Sequence, residues 1–231
     1  MKTYPLLFLI SASAVSQAQS YRPIDREASA VSLGISYADV SHDVVDYDGY
    51  VLGARFRVIQ DFYVTAGWTS ASTGVVGVAE YDLEVDLDVD MWSLGFEYEI
   101  PSGPGKFTLS LAYSDGALEG YVSDGTGLGA LYTGDIIENS QIILGARYDL
   151  PVGDMVKLGF ALTHFKNDFS FVNGLSSLGS IRDKSVTAPK IELSIQPTKM
   201  FSLSLAYSTE DILLGLPEAD GAFTLGAKLH F

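Results

Sequence analysis

The sequence predicts an all-β fold: a single closed antiparallel transmembrane β-barrel of about ten strands. Three observations predict it. Hydrophobic residues recur at every second position along most of the chain. The connections between these stretches alternate between tight turns and long polar segments. Nothing approaches the roughly 20 consecutive apolar residues that a membrane-crossing helix needs, so any crossing has to be made by strands.

The chain begins MKTYPLLFLISASAVSQAQS, with Lys2, an apolar run from Pro5 to Ile10 and small residues up to Ala18. That is the construction of a cleavable secretory signal. Residues 1–18 are therefore expected to be removed, leaving 19–231 as one β domain.

Alternation then marks strands at about 29–38, 49–59, 62–71, 91–100, 106–115, 140–150, 155–165, 186–196, 200–208 and 221–231. Two themes repeat along them. FTLSLAYS at 107–114 returns as FSLSLAYS at 201–208, and LGARFR from Leu52 returns as LGFEYE from Leu94, LGARYD from Leu144 and LGAKLH from Leu225. The repeating unit is a β-hairpin. Tight turns fall at Gln60-Asp61, PSGPGK from Pro101, PVGD from Pro151 and PTKM from Pro197, and the five longer connections centre near residues 43, 80, 126, 175 and 214.

The outward rows are apolar: Leu33, Ile35 and Tyr37; Leu52 and Phe56; Leu94, Phe96 and Tyr98; Leu144 and Tyr148; Leu193 and Ile195. The opposite faces carry small or polar residues such as Ser32, Gly34, Ser202 and Ser204. A soluble β-sandwich also alternates, but it does not require all its tight turns at one end. Aromatic pairs six residues apart, Phe62 with Trp68, Phe107 with Tyr113 and Phe201 with Tyr207, suit the two interfaces of a bilayer.

A net charge of -15 excludes nucleic acid as a natural partner. With no cysteine, stability has to come from packing and backbone pairing.

The last strand, with Phe223, Leu225, Ala227, Leu229 and Phe231 at alternate positions, resembles the terminal strand of the bacterial outer-membrane β-barrel proteins, the porin-like and OmpA-like barrels. The resemblance covers the whole mature chain. It implies that these five residues form an assembly signal read by the barrel assembly machinery. It also implies an outer-membrane location, tight turns in the periplasm, long acidic loops outside, and lipid and lipopolysaccharide as neighbours.

Inside such a barrel the inward positions Arg55, Arg57, Glu97, Glu99, Arg147, Asp149, Lys157, Lys190, Glu192 and Lys228 gather six cations and four carboxylates. They form either a constriction that selects solutes or a salt-bridged plug in which each charge is paired; the plug is the expected arrangement. Small inward residues nearer the long loops, Ser36, Thr69, Ser114 and Ser208, predict a wet vestibule above it.

The segment EYDLEVDLDVD places Asp86, Asp88 and Asp90 on one face of a strand. A helical calcium loop needs Gly at its sixth position, and Met91 stands there. The apolar parity changes at Met91 and Trp92, as it does where a strand leaves the membrane without a bulge; a bulge near Met91 is the competing reading. Of the 29 acids, 21 fall in the outer connections, opposed there by Lys166, Arg182 and Lys184. These carboxylates, Asp86, Asp88 and Asp90 foremost, are candidates for loosely bound divalent cations shared with lipopolysaccharide or an unidentified extracellular partner. No organic cofactor is expected.

Enzyme readings find little support. The ten-strand omptin proteases pair an Asp couple with an Asp-x-His, and no Asp-x-His exists here. Lipid A modifying barrels use Ser and His, and Ser41, His42 and Asp43 are the one neighbouring set, at positions that do not ordinarily face one another. The expected role is structural or interactive at the cell surface through the acidic loops, with a narrow passive channel as the alternative and no enzymatic activity.

Overall fold

A computed structural model describes residues 29–42, 46–74, 76–78, 83–123, 130–171, 184–211 and 219–231. The proposed signal at 1–18 lies outside them. The strands are β1 (Val31–His42), β2 (Tyr47–Ile59), β3 (Phe62–Ser72), β4 (Val76–Val78), β5 (Leu83–Ser102), β6 (Gly105–Ser123), β7 (Ala130–Pro151), β8 (Val156–Phe171), β9 (Lys184–Thr198), β10 (Phe201–Ser208) and β11 (Ala219–His230). All ten predicted strands are present, with the three-residue β4 added on the outer part of β5.

Each long strand pairs antiparallel with its neighbours, β3 pairs with β5, and β11 pairs with β1, so the sheet closes on itself. Closure removes the open edge whose N–H and C=O groups lipid could not satisfy. At the seam, the Phe231 N–H donates to the Val31 carbonyl at 2.9 Å and the Val31 N–H donates to the Phe231 carbonyl at 3.3 Å. The tight turns lie between β2 and β3, β5 and β6, β7 and β8, and β9 and β10. In the first, Asp61 takes φ of 62°, one of the few left-handed positions that a short polar side chain tolerates.

Alternation decides which face meets lipid. Leu33, Leu52, Trp68, Leu94, Leu109, Leu144, Phe160, Ile191, Leu203 and Leu225, one from each long strand, are all exposed. An apolar surface of this extent has no place in water; around a closed barrel it is a belt for the hydrocarbon of a bilayer. Aromatics mark its margin toward the long connections, where Tyr37 packs on Tyr50 with ring centroids 5.3 Å apart, Trp92 on Tyr113 at 5.8 Å and Tyr207 on Phe223 at 4.9 Å. Toward the tight turns Phe107 meets Tyr148 at 4.7 Å. No helix among the described residues is long and apolar enough to cross a membrane; the closed sheet with its exposed apolar belt makes the crossing by strands, and the chain is a transmembrane β-barrel.

The wall is uneven in height. β5, β6, β7 and β8 run to 20, 19, 22 and 16 residues, whereas β1, β2, β3 and β11 have 11 to 13 and β10 has eight. Alternation over the polar stretches of β6 and β7 beyond the belt is weaker, and the expected bounds stopped short there: β7 starts at Ala130 rather than near 140. The alternating acidic segment expected as strand is the outer part of β5, continuous from Leu83 with the stretch expected at about 91–100.

Candidate functional site: a sealed lumen and an acidic outer wall

The inward charges of the tight-turn half form two groups. In the first, Arg55 on β2 donates through Nε to Glu97 Oε2 at 2.6 Å and through Nη2 to Glu99 Oε1 at 2.8 Å, both carboxylates lying on β5. Lys106 pairs with Glu99 as well. The Arg55 guanidinium lies 3.2 Å from the centroid of the Tyr63 ring, whose hydroxyl donates to Glu99 Oε2 at 3.3 Å.

In the second group Arg147 on β7 is the hub. It donates to Asp149 Oδ1 at 2.7 Å and, in a two-pronged fork, to Glu192 Oε2 at 3.0 Å and Oε1 at 2.7 Å. Lys157 approaches Asp149 at 3.2 Å, Lys190 approaches Glu192 at 3.7 Å, and the Ser194 hydroxyl donates to Glu192 at 2.8 Å. Arg147, Glu97 and Glu99 are each 1% exposed. Charges this deep persist because each is compensated and hydrogen-bonded at close range.

Arg57 is the exception to the predicted set. It shares the parity of Arg55 but is exposed, at the end of β2 where the register with β3 shifts between Arg57 and Ile59. Strand end and bulge leave it at the rim, outside the plug. Lys106 takes its place. Reading PSGPGK as one turn hid it, whereas β6 already begins at Gly105 and puts Lys106 in phase with Thr108 and Ser110. That polar parity was the signal available in the sequence.

Above the plug the expected wet vestibule is confined to the side of β1 and β2, where half-buried Ser36 lines a cavity with Gly34, Gly53 and Lys228. Thr69, Ser114 and Ser208 do face inward and are buried, but Ser114 bonds the Trp92 carbonyl at 2.9 Å and Ser208 the Pro189 carbonyl at 2.7 Å. Around them Val40, Val51, Met91, Ile137, Ile143 and Phe165 are each no more than 1% exposed. Met91 lies over Gly116, where an added Cβ would come within 2.4 Å of its Cγ. Gln141 bonds Asn167 inside the same section. At the mouth, Tyr47 and Asp211 lie beside each other, 3% and 0% exposed. Burial raises the carboxyl pKa of neighbouring Glu210, in the β10–β11 connection, above the ordinary value. Among the described residues the lumen is thus occupied mainly by charge pairs at one end and by apolar side chains at the other, with the cavity beside Ser36 left between them.

Asp88 and Asp90 project from the outer face of β5 and Asp86 is half-buried there, while Leu87, Val89 and Met91 are buried on the inner face. Pairing with β6 runs from Glu84 to Ser102 without a register shift, so the strand leaves the membrane unbulged and the change of parity is a change of surroundings. The three carboxylates are strung along the strand rather than converging, and no group of three or more His, Asp or Glu among the described residues is placed to hold a metal ion. Across the wall Asp88 pairs with Glu119 and Glu119 with Asp135, all exposed. Sequence reading did not find this row, because it depends on cross-strand register.

The histidines hold no exposed catalytic arrangement among the described residues. His164 bonds Thr187 on the outer surface at 2.9 Å. His230 bonds the Ser202 hydroxyl at 3.0 Å, but at 3% and 4% exposure neither is open to a substrate. The Ser41, His42 and Asp43 set lies partly outside the described residues. Phe223, Leu225, Leu229 and Phe231 are exposed and Ala227 half-buried, along the outward row of β11.

No family model and no curated protein matches the chain. Among solved structures, the Yersinia pestis outer membrane protein Ail in a phospholipid bilayer nanodisc is 16% identical over 88% of this chain and 99% of its own, with a TM-score of 0.40. Neisserial surface protein A is 12% identical over 87% and 96%, at 0.39. OmpT of Vibrio cholerae in its trimer form is 11% identical over 97% and 75%, at 0.38. Identity and superposition this low assign neither a family nor a function.

Proposed function

We propose that this barrel is a sealed surface protein rather than a conduit, and that it acts through the raised β5–β8 wall. One observation carries the reading: the interior is closed by paired charges and then by apolar packing, while four strands continue beyond the belt with acids on their outer face. Solute passage requires a continuous wet path, and no catalytic step is included in this role.

With the long connections outside the cell, Asp88, Glu119 and Asp135 would stand beyond the aromatic margin, within reach of the outer-leaflet head groups. Like charges directly opposed across strands are destabilising. Divalent cations bridging them to lipopolysaccharide phosphates would relieve that repulsion and tie the wall to its lipid. The C-terminal row Phe223 to Phe231 serves in the same reading as the signal for the assembly machinery.

Thermal unfolding in nanodiscs containing lipopolysaccharide, with magnesium or with chelator, tests the lipid contact. Wild type is expected to lose stability on chelation, and an Asp88→Asn, Glu119→Gln, Asp135→Asn variant to be indifferent to it. A wild type equally stable in both conditions would overturn the cation bridge.

A further inference from the structure

The aromatic margin toward the long connections is broken on one side. The Tyr37–Tyr50, Trp92–Tyr113 and Tyr207–Phe223 pairs, with exposed Trp68 on β3, give every long strand an aromatic there except β7, β8 and β9. In line with Tyr113, β7 carries Ile142, β8 carries Lys166 and β9 carries Ser185; one rung nearer the belt, His164 stands opposite Thr187.

Lys166, Ser185 and Thr187 are exposed on the outer face and His164 is half-buried there. Opposed side chains lie about 5 Å apart and successive ones on a face about 7 Å, so the four outline a polar patch of about 5 by 7 Å. His164 Nδ1 is 2.9 Å from Thr187 Oγ1. With the Thr187 hydroxyl donating to it, the Nε2–H of the ring is left to donate outward. Lys166 forms no ion pair among the described residues. Asp168, the next outward residue of β8, is exposed one rung farther from the belt, which favours an anion on the lipid side of Lys166. On that side the same two rows continue as Leu162 and Phe160 on β8 and Ile191 and Leu193 on β9, all exposed. Oxyanion donors thus stand directly over an apolar surface, an arrangement that fits an amphiphile better than a free ion.

We propose that this break seats the terminal phosphate of an acylated lipid, its chains lying along the apolar rows below. Lys166, His164 and Ser185 each donate to one of the three free oxygens of a phosphomonoester, and Thr187 is a positioning residue for the imidazole. The inference rests on the lipid setting of the proposed function but not on its cation bridge, since the seat on β8 and β9 needs no divalent ion.

The test is native mass spectrometry of the refolded barrel in non-ionic detergent, with chelator throughout, titrated with short-chain phosphatidic acid, phosphatidylcholine of the same chain length or inorganic phosphate. One phosphatidic acid should be retained per barrel at saturation, and the other two should bind about tenfold more weakly. Lys166→Gln should weaken phosphatidic acid binding about tenfold and Lys166→Arg should keep it. Thr187→Val should lose about threefold, with Thr187→Ser restoring wild-type binding. All four positions lie on the outer surface, so lipid-free unfolding of these variants should match wild type. Equal retention of the two lipids overturns the proposal, as does undiminished binding by Lys166→Gln. Inorganic phosphate bound as tightly as phosphatidic acid overturns the lipid assignment. Because chelator is present throughout, failure of the cation bridge leaves these results unchanged.

Discussion

Near the tight turns the inward positions are occupied by Arg55, Glu99, Arg147 and Glu192, joined side chain to side chain; toward the long connections the same inward parity carries Val40, Met91, Ile137 and Phe165. Both sections are largely filled, as expected of a barrel little wider than eight strands, but different physics holds each. The apolar section is stabilised by volume and tolerates exchange among residues of similar size. The charged section depends on identity, since removal of one member leaves its partners buried and uncompensated. Specificity of packing thus sits at the tight-turn end, and the outer end is free to vary with whatever the raised wall contacts.

Arg147→Met should separate the two sections most sharply. It removes the fork on Glu192 and the bond to Asp149, leaving these carboxylates to the longer contacts of Lys190 and Lys157, and should destabilise the barrel by about 3–5 kcal/mol in denaturant-induced unfolding. Adding Glu192→Gln should recover part of the loss, because the carboxylate that has lost its closest cation is no longer charged. In the apolar section Met91→Ala should cost about 2–3 kcal/mol by leaving a cavity over Gly116, whereas Met91→Leu should cost less than about 1.5 kcal/mol.

On the outer wall, Glu119→Gln should stabilise by about 0.2–1 kcal/mol in chelator-containing buffer, since Glu119 has a carboxylate opposite it on each side. The smallest effect is expected at Arg57, two residues from Arg55 but exposed. Arg57→Ala should change unfolding by no more than about 0.5 kcal/mol. A large loss there would extend the charged section to the rim.

Strand identity was legible because lipid imposes a strict alternation. Rows such as Leu94, Phe96 and Tyr98 mark one apolar strand face, and all three are exposed on the outside of the closed barrel. Beyond the belt that constraint lapses. The outer extensions of β6 and β7 carry Glu119 and Asp135 outward, and were read as loop because water accepts any polar residue. Most plug residues followed from parity alone. Lys106 was hidden by the Pro and Gly residues before it, and Arg57 was assigned inward because a bulge at a strand end leaves no mark in composition. The pairing of particular charges, Arg147 with Glu192 across 45 residues of chain, depends on strand tilt and register, which alternation does not encode.

The central claim is that the lumen is sealed. Conductance of the purified, refolded wild-type barrel in a planar bilayer tests it most directly. The account predicts a silent wild type, with current appearing when the apolar section and the plug are opened together by Met91→Ala and Arg55→Ala. Steady single-channel openings in the wild type would contradict it and make the charged section a filter instead of a plug.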